Sequence, residues 1–284
     1  MQRFEGRVAV ITGGASGIGF GLAQRFGAAG MKVVIGDIEK PALDTALESL
    51  RADGVDATGI ACDVADPAQV DALAAHALDH YGGVNVLCNN AGVGGGGLSW
   101  EATLSTWEWV LGVNLWGVIH GVRSFVPLLL QQDEAHVVNT ASVAGLVSAP
   151  MMGPYNASKH AVVAISETLH HEFAITGANV RVSVLCPGFV RTNIATSERN
   201  RPDRLSADLT ASDEEQAELG RQLLAGMIQN GMPPAEVAAR VFNAVRDERF
   251  WVLTHEDDDM WMRAVNSRLE STANRTNPEI NLLA

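Results

Sequence analysis

Short apolar runs alternate with longer amphipathic stretches from the N-terminus to about residue 253. Residues 7–12, 32–38, 57–62, 84–89, 135–141, 180–186 and 249–253 have the length and β-branched character of buried strands. Between them, residues 17–29, 42–52, 67–80, 104–130, 155–176 and 237–246 repeat apolar positions at helical spacing, and Pro67 suits a first turn. Strands apolar on both faces, each followed by a helix, predict a parallel sheet covered on both sides: a doubly wound α/β fold. Two stretches break the rhythm. Residues from about 189 to 230 turn polar and charged and read as an insertion after the sixth strand. Residues from about 255 to 284 read as a tail beyond the βα pattern.

Composition narrows the function. The formal net charge is −13, which argues against a nucleic-acid partner or an anionic membrane surface. Apolar runs are too short to span a bilayer and the N-terminus lacks a signal-like apolar region, so the expectation is a cytoplasmic protein. Cys62, Cys88 and Cys186 are scattered, with neither disulfide nor zinc spacing, and read as small buried thiols. The eight histidines show no ligand spacing, so no metal site is expected; His170 and His171 read as surface helix residues.

The first strand ends in Thr12-Gly13-Gly14-Ala15-Ser16-Gly17-Ile18-Gly19. Glycines at a strand-to-helix turn let the backbone approach a pyrophosphate, and the helix that follows aims its positive end at that charge. Asp37 closes the second strand, where an acid bonds both hydroxyls of an adenosine ribose. A carboxylate there repels the extra phosphate of NADP. Ala15, Ser16 and Gly36 supply no base to hold that phosphate, so NAD is favoured over NADP; the alternative makes Asp37 a solvated turn residue. Asp63-Val64 follows the third strand, where an adenine edge lies. Asn90-Ala91-Gly92 ends the fourth, where asparagine satisfies strand-end backbone groups and glycine leaves a ligand room.

Tyr155 and Lys159 are four residues apart, on one face of a helix. A free tyrosine has a pKa of about 10. An ammonium at ~4 Å in an effective dielectric of ~20 attracts the phenolate by roughly 4 kcal/mol, or about three pK units before burial opposes it. The expectation is a phenol able to exchange a proton with an alcohol near neutral pH. Taken alone, the pair is a common spacing.

In order along the chain stand Thr12-Gly13-x-x-x-Gly17-x-Gly19, Asp63, Asn89-Asn90-Ala91-Gly92, Asn114, Ser142, Tyr155-x-x-x-Lys159 and Pro187-Gly188. This combination resembles the classical short-chain dehydrogenase/reductase family over residues 5 to about 253. The resemblance implies a Rossmann-type, seven-stranded parallel sheet with helices on both faces. It also implies a nicotinamide cofactor and interconversion of an alcohol and a carbonyl. By position, Tyr155 is then the general acid/base, and Lys159 lowers its pKa and binds nicotinamide ribose hydroxyls. Ser142 bonds the substrate oxygen, and Asn114 holds a water on the proton path to Lys159. Pro187, Gly188, the Val190 backbone and the Thr192 hydroxyl hold the carboxamide.

Residues 1–284 are accordingly read as one dinucleotide-binding, catalytic domain carrying a substrate loop and a tail. The loops after the fourth, fifth and sixth strands bring Val143, Leu146, Val147, Met151, Met152, Phe189 and Ile194 towards the substrate, or pack the loops themselves. An apolar lining fits a hydrophobic or aromatic secondary alcohol or ketone. Arg199, Arg201 and Arg204 read as a solvated face, with contact to an acidic group the alternative. Family members assemble through their two long helices, which implies a homotetramer or homodimer. The rival functions are an NADP-dependent carbonyl reductase and a non-catalytic dinucleotide sensor or scaffold.

Overall fold

Seven strands pair in parallel in the order β3-β2-β1-β4-β5-β6-β7. They are β1 (Val8–Thr12), β2 (Lys32–Asp37), β3 (Ala57–Ala61), β4 (Val86–Asn89), β5 (Ala135–Thr140), β6 (Val180–Cys186) and β7 (Trp251–Leu253). The computed structural model describes residues 1–206, 222, 225–255 and 259–278. Val10 faces Val34 on one neighbour and Leu87 on the other, which places β1 between β2 and β4. Strand order reverses at β1 and β4, and a crevice opens beyond their carboxyl ends.

Alternation along the strands divides the core into two layers. Ile11 and Ile35 pack with Leu22, Phe26, Leu43, Leu50 and Val241 from α1 (Gly17–Gly27), α2 (Lys40–Ala52) and α7 (Pro234–Arg246). Their neighbours Val10 and Val34 face the other way. There they meet Val70, Leu73, Phe125, Leu129, Leu169 and Phe173 from α3 (Pro67–Tyr81), α5 (Gly117–Leu129) and α6 (Gly153–Thr176). Cys62, Cys88 and Cys186 are buried free thiols.

The elements follow the sequence pattern with three informative departures. The fourth strand begins at Val86, and Asn85 before it ties the strand ends together with its side chain: its Oδ1 accepts from Val8 N–H and its Nδ2 donates to the Glu134 carbonyl. The stretch 104–130 is two α-helices, α4 (Leu104–Leu111) and α5, joined through a π-helical turn at Gly112–Trp116. The wider turn carries Asn114, whose side chain is fully buried. Gly117, beyond it, lets α5 touch Val64; a Cβ there would stand 2.7 Å from the valine Cγ2. Lastly, the tail contains α8 (Asp259–Asn274), which sets Trp261 against Phe189 and donates from Arg268 to the Leu146 carbonyl. Part of the expected insertion, at 207–221 and 223–224, lies outside the described residues, as do 256–258 and 279–284. Among the described residues, no helix is long and apolar enough to cross a membrane.

A buried polar ladder ties β4, β5 and α6 together: Asn89 Nδ2 donates to Asn139 Oδ1 (2.9 Å), and Asn139 Nδ2 to Ser166 Oγ (3.0 Å). Gly121 of α5 lies so close that a Cβ would fall on Asn89 Oδ1. Gly121→Ala is therefore expected to cost about 1–3 kcal/mol of stability through overpacking. Urea unfolding should show a lower midpoint with an unchanged slope.

Candidate active site

The crevice is built first by close backbone contact. The Thr12 hydroxyl accepts from Asn90 N–H (3.0 Å) and Ala91 N–H (3.1 Å), and Asn90 Nδ2 donates to the Thr12 carbonyl (3.0 Å). A Cβ at Gly13 would be 2.8 Å from Ala91 Cα, and one at Gly19 would collide with the Gly13 carbonyl and Asn90 Nδ2. Gly13 and Gly17 have φ of 62° and 52°, a region that glycine occupies without steric cost. Ser16 is the N-cap of α1, and Ile18 lies in its first turn. This tight turn, with a helix N-terminus behind it, fits a pyrophosphate.

Asp37 ends β2 and holds the turn from the side. Ala15 N–H donates to its Oδ2 (2.9 Å) and Glu39 N–H to its Oδ1 (3.0 Å). Each carboxylate oxygen keeps a further acceptor site for a ribose hydroxyl. Burial raises the Asp37 pKa, and these two backbone bonds oppose it. Asp63 follows the neighbouring strand; its Oδ1 accepts from Ala65 N–H, and the Val64 carbonyl pairs with His120. Thr192 reaches the glycine turn from the loop after β6, and a Cβ at Gly17 would be 2.9 Å from its Cγ2.

The second half of the site lies where α6 begins. Its Pro154 occupies the first turn, where a missing N–H is tolerated. Tyr155 and Lys159 share a buried face of that helix, with Lys159 Nζ 5.6 Å from the tyrosine ring centroid. Ser142 ends the strand-to-loop turn after β5. Its Oγ accepts from Ala144 N–H and donates to the Pro187 carbonyl (3.3 Å), and its hydroxyl stands near enough to the Tyr155 phenol to favour the phenolate. Asn114 exchanges two bonds with Val93, accepting at 2.8 Å and donating at 3.0 Å, and donates to Ser158 Oγ (3.3 Å). Ser158 in turn donates to the Tyr155 carbonyl (2.7 Å). A Cβ at Gly92 would lie 3.4 Å from Asn114 Oδ1 and 3.6 Å from Lys159 Nζ, so these three residues converge.

The electrostatics differ from the expectation based on spacing. Burial pushes the Tyr155 phenol up, opposed by the neighbouring Ser142 hydroxyl. Lys159 donates to the Thr140 carbonyl (2.9 Å), and burial brings its pKa down from 10.5 to about 8. Both groups are buried and Lys159 is turned towards Thr140, so loss of water outweighs the mutual attraction.

Three residues outside the sequence motifs, Thr254, His255 and Trp261, enter the site. Gly188 N–H donates to Thr254 Oγ1 (3.1 Å), and Thr254 is paired with His255 Nδ1 (2.7 Å). A Cβ at Gly188 would lie 2.8 Å from that nitrogen and 3.1 Å from Trp261 Nε1. Beside it opens a cavity of about 550 Å³ lined by Phe189, Gln222, Gly226, Met227, Asn230, Gly231, Met232, His255 and Trp261. Tyr155 and Ser142 are not among its walls. Of the expected lining, Phe189 faces it, whereas Leu146 packs on the core and Val147 is buried. Sequence periodicity has no signal for the tail residues, because α8 lies outside the βα repeat.

The arginines of the loop are paired with acids of the protein itself. Arg199 bonds Glu39 (2.6 Å), Arg204 bonds Glu108 (2.9 Å), and Arg201 contacts Glu198 (3.5 Å). Arg201 is 8 % exposed and also reaches Thr106 and the Leu205 carbonyl, so it is no solvated face. Nothing in local sequence spacing pairs 199 with 39.

The Lys159 shift has a sign that can be tested. Its folded pKa lies below the unfolded value, so the unfolded chain binds more protons between about pH 8 and 10.5. Stability from this residue therefore rises with pH across that window. Lys159→Met removes the effect. The stability difference between wild type and variant should move in favour of the wild type, by on the order of 3 kcal/mol, as pH rises through it. Chemical denaturation at several pH values checks this.

The family model for short chain dehydrogenases matches residues 7–203. A 1-deoxy-11-beta-hydroxypentalenate dehydrogenase of Streptomyces avermitilis is 38% identical over 252 residues, 88% of this chain and 84% of its own. A short-chain dehydrogenase/reductase of Burkholderia phymatum, solved in complex with NAD, is 44% identical, with a TM-score of 0.94 over 99% of both chains. The F189W actinorhodin polyketide ketoreductase, solved with NADPH, is 31% identical, with a TM-score of 0.73 over 89% of this chain and 97% of that one. A turn shaped for a pyrophosphate, a serine–tyrosine–lysine cluster beside it and these matches together make the chain a member of the short-chain dehydrogenase/reductase family, an oxidoreductase acting on CH–OH groups.

Proposed function

We propose that this chain is an NAD-dependent dehydrogenase that interconverts a hydrophobic or aromatic secondary alcohol and its ketone. The observation that carries this reading is the Tyr155 phenol, buried, beside Ser142 and one helical turn from Lys159, at the mouth of the dinucleotide crevice. When bound, a nicotinamide dinucleotide supplies the hydride donor or acceptor. The remaining work falls to side chains of the chain. Tyr155 gives a proton to a ketone oxygen or takes one from an alcohol. Because burial keeps the phenol protonated at neutral pH, its resting form is the acid. Ser142 donates a hydrogen bond to the same oxygen and holds the reacting carbon in line. Lys159 holds ribose hydroxyls and, with Asn114 and an ordered water, carries the proton outwards. Asp37 accepts from the adenosine ribose, Asp63 and Val64 border the adenine, and Asn90, Ala91 and Gly92 form the crevice wall. Pro187, Gly188, Val190 and Thr192 orient the carboxamide.

Support for NAD comes from Asp37, a buried carboxylate at the end of β2, and from Ala15, Ser16 and Gly36, which place no base beside it. The hydrophobic substrate rests on Phe189, Met227, Met232 and Trp261 in the cavity beside Gly188. Dehydrogenation of a hydroxy compound, as the name of the Streptomyces relative indicates, is consistent with it. We further infer a cytoplasmic homotetramer, or failing that a homodimer. Leu104, Trp116, Leu130 and Ile175, on or beside the two long helical regions, leave large apolar side chains exposed.

Tyr155→Phe is expected to lower turnover 10²- to 10⁴-fold, read as NADH absorbance over a panel of alcohols and ketones. Full retention of activity refutes the proposed role. Isothermal titration should give tighter binding of NAD than of NADP, and the opposite order makes the chain an NADP-dependent carbonyl reductase. Asp37→Ser should narrow the difference.

A further inference from the structure

The loop after β6 crosses the crevice and is fastened on its far side. Thr192 rests on Gly17. Gly94 N–H donates to the buried Ser197 Oγ (2.9 Å), which pins the middle of the segment to the turn after β4. At the end of the segment, Arg199 reaches Glu39, 160 residues away, through two nitrogens: Nη2 to Oε1 at 2.6 Å and Nε to Oε2 at 3.3 Å. Asn200 Nδ2 adds a third bond to the same carboxylate (2.8 Å).

Arg199 is held in place at its other face as well. Its Nη1 donates to the Asn193 carbonyl (3.2 Å) and the Thr196 carbonyl (2.8 Å), so the guanidinium closes the 3₁₀ segment Ile194–Asn200 that carries it. A planar fork satisfied on two sides is a rigid clasp, and a bidentate pair gives more than a point-charge contact. Arg199 and Asn200 together lower the Glu39 pKa, so the carboxylate remains charged across the working range.

The floor beneath this segment runs from Gly17 through Ala15 and Asp37 to Glu39. Ala15 is bonded to Asp37, and Glu39 N–H is bonded to Asp37. Those residues line the pyrophosphate and adenosine-ribose part of the crevice. We propose that Glu39, Arg199 and Asn200 are positioning residues for the bound dinucleotide: they fasten residues 192–200 across the ribose end of the crevice and slow the release of cofactor. The proposal rests on the cofactor reading above. It assigns a purpose to Arg199 and Glu39 that neither the glycine turn nor the tyrosine–lysine pair supplies.

NADH release tests it without a known substrate. NADH bound to the purified protein is displaced by excess NAD and followed by stopped-flow fluorescence. Glu39→Gln and Arg199→Ala should each speed release about three- to tenfold, the scale of a well-formed, partly exposed ion pair with an added hydrogen bond. The double variant should be no faster than the faster single variant, because both remove one contact. Asn200→Ala should speed release less, and carries the test if Arg199→Ala does not fold. Arg204→Ala, which removes the Glu108 pair just beyond the clasped segment, should stay within twofold of wild type. Unchanged release in both Glu39→Gln and Arg199→Ala overturns the proposal. So does an equal acceleration by Arg204→Ala, which means general loosening of the loop. A wild-type protein that binds neither NADH nor NADPH overturns the cofactor reading itself, and with it this one.

Discussion

The approach of two backbones at the ends of β1 and β4 is the constraint on which the rest depends. Thr12 receives the N–H groups of Asn90 and Ala91, and Gly13 fits against Ala91 with no room for a side chain. Because neighbouring strands diverge here, the chain turns outwards on both sides and leaves a crevice with polar backbone at its floor. Asp37 then fixes the glycine turn from β2, and Thr192 meets it from the β6 side. A bulky residue at Gly13 or Gly19 displaces all of these contacts together.

Burial, more than pairwise attraction, sets the chemistry at α6. Tyr155 and Lys159 are shielded from water by the same helix face, and each is pushed towards its neutral form. Ser142 offsets part of this at the phenol, and the Thr140 carbonyl gives the lysine a partner. Asn114 acts through the scaffold: its bonds to Val93 and Ser158 connect the loop after β4 to the first turn of α6. The π-helical turn carries this buried amide in the middle of an otherwise regular helical stretch. The functional elements are thus positioned by packed polar groups, and these tolerate little displacement in a close-packed interior.

Two segments with no place in the βα rhythm complete the walls. The loop after β6 reaches across to Glu39, and α8 brings Trp261 against Phe189 and Gly188. Both rest on contacts between residues far apart in sequence. Their geometry is set by what they pack on, since both lie outside the βα repeat.

By itself the sequence determined the order of strands and helices, the glycine turn, the acid at Asp37 and the membership of Tyr155 and Lys159 on one helix face. These are local properties: strand and helix periods, backbone freedom and spacing along a helix are all written in a few adjacent residues. Tertiary structure alone decided that Lys159 turns to Thr140, that Leu146 serves the core, that Arg199 crosses to Glu39, and that His255 and Trp261 border the cavity. Each of those outcomes depends on desolvation or on a contact between distant residues, and no window of neighbouring residues records how much water a side chain loses or which partner it meets.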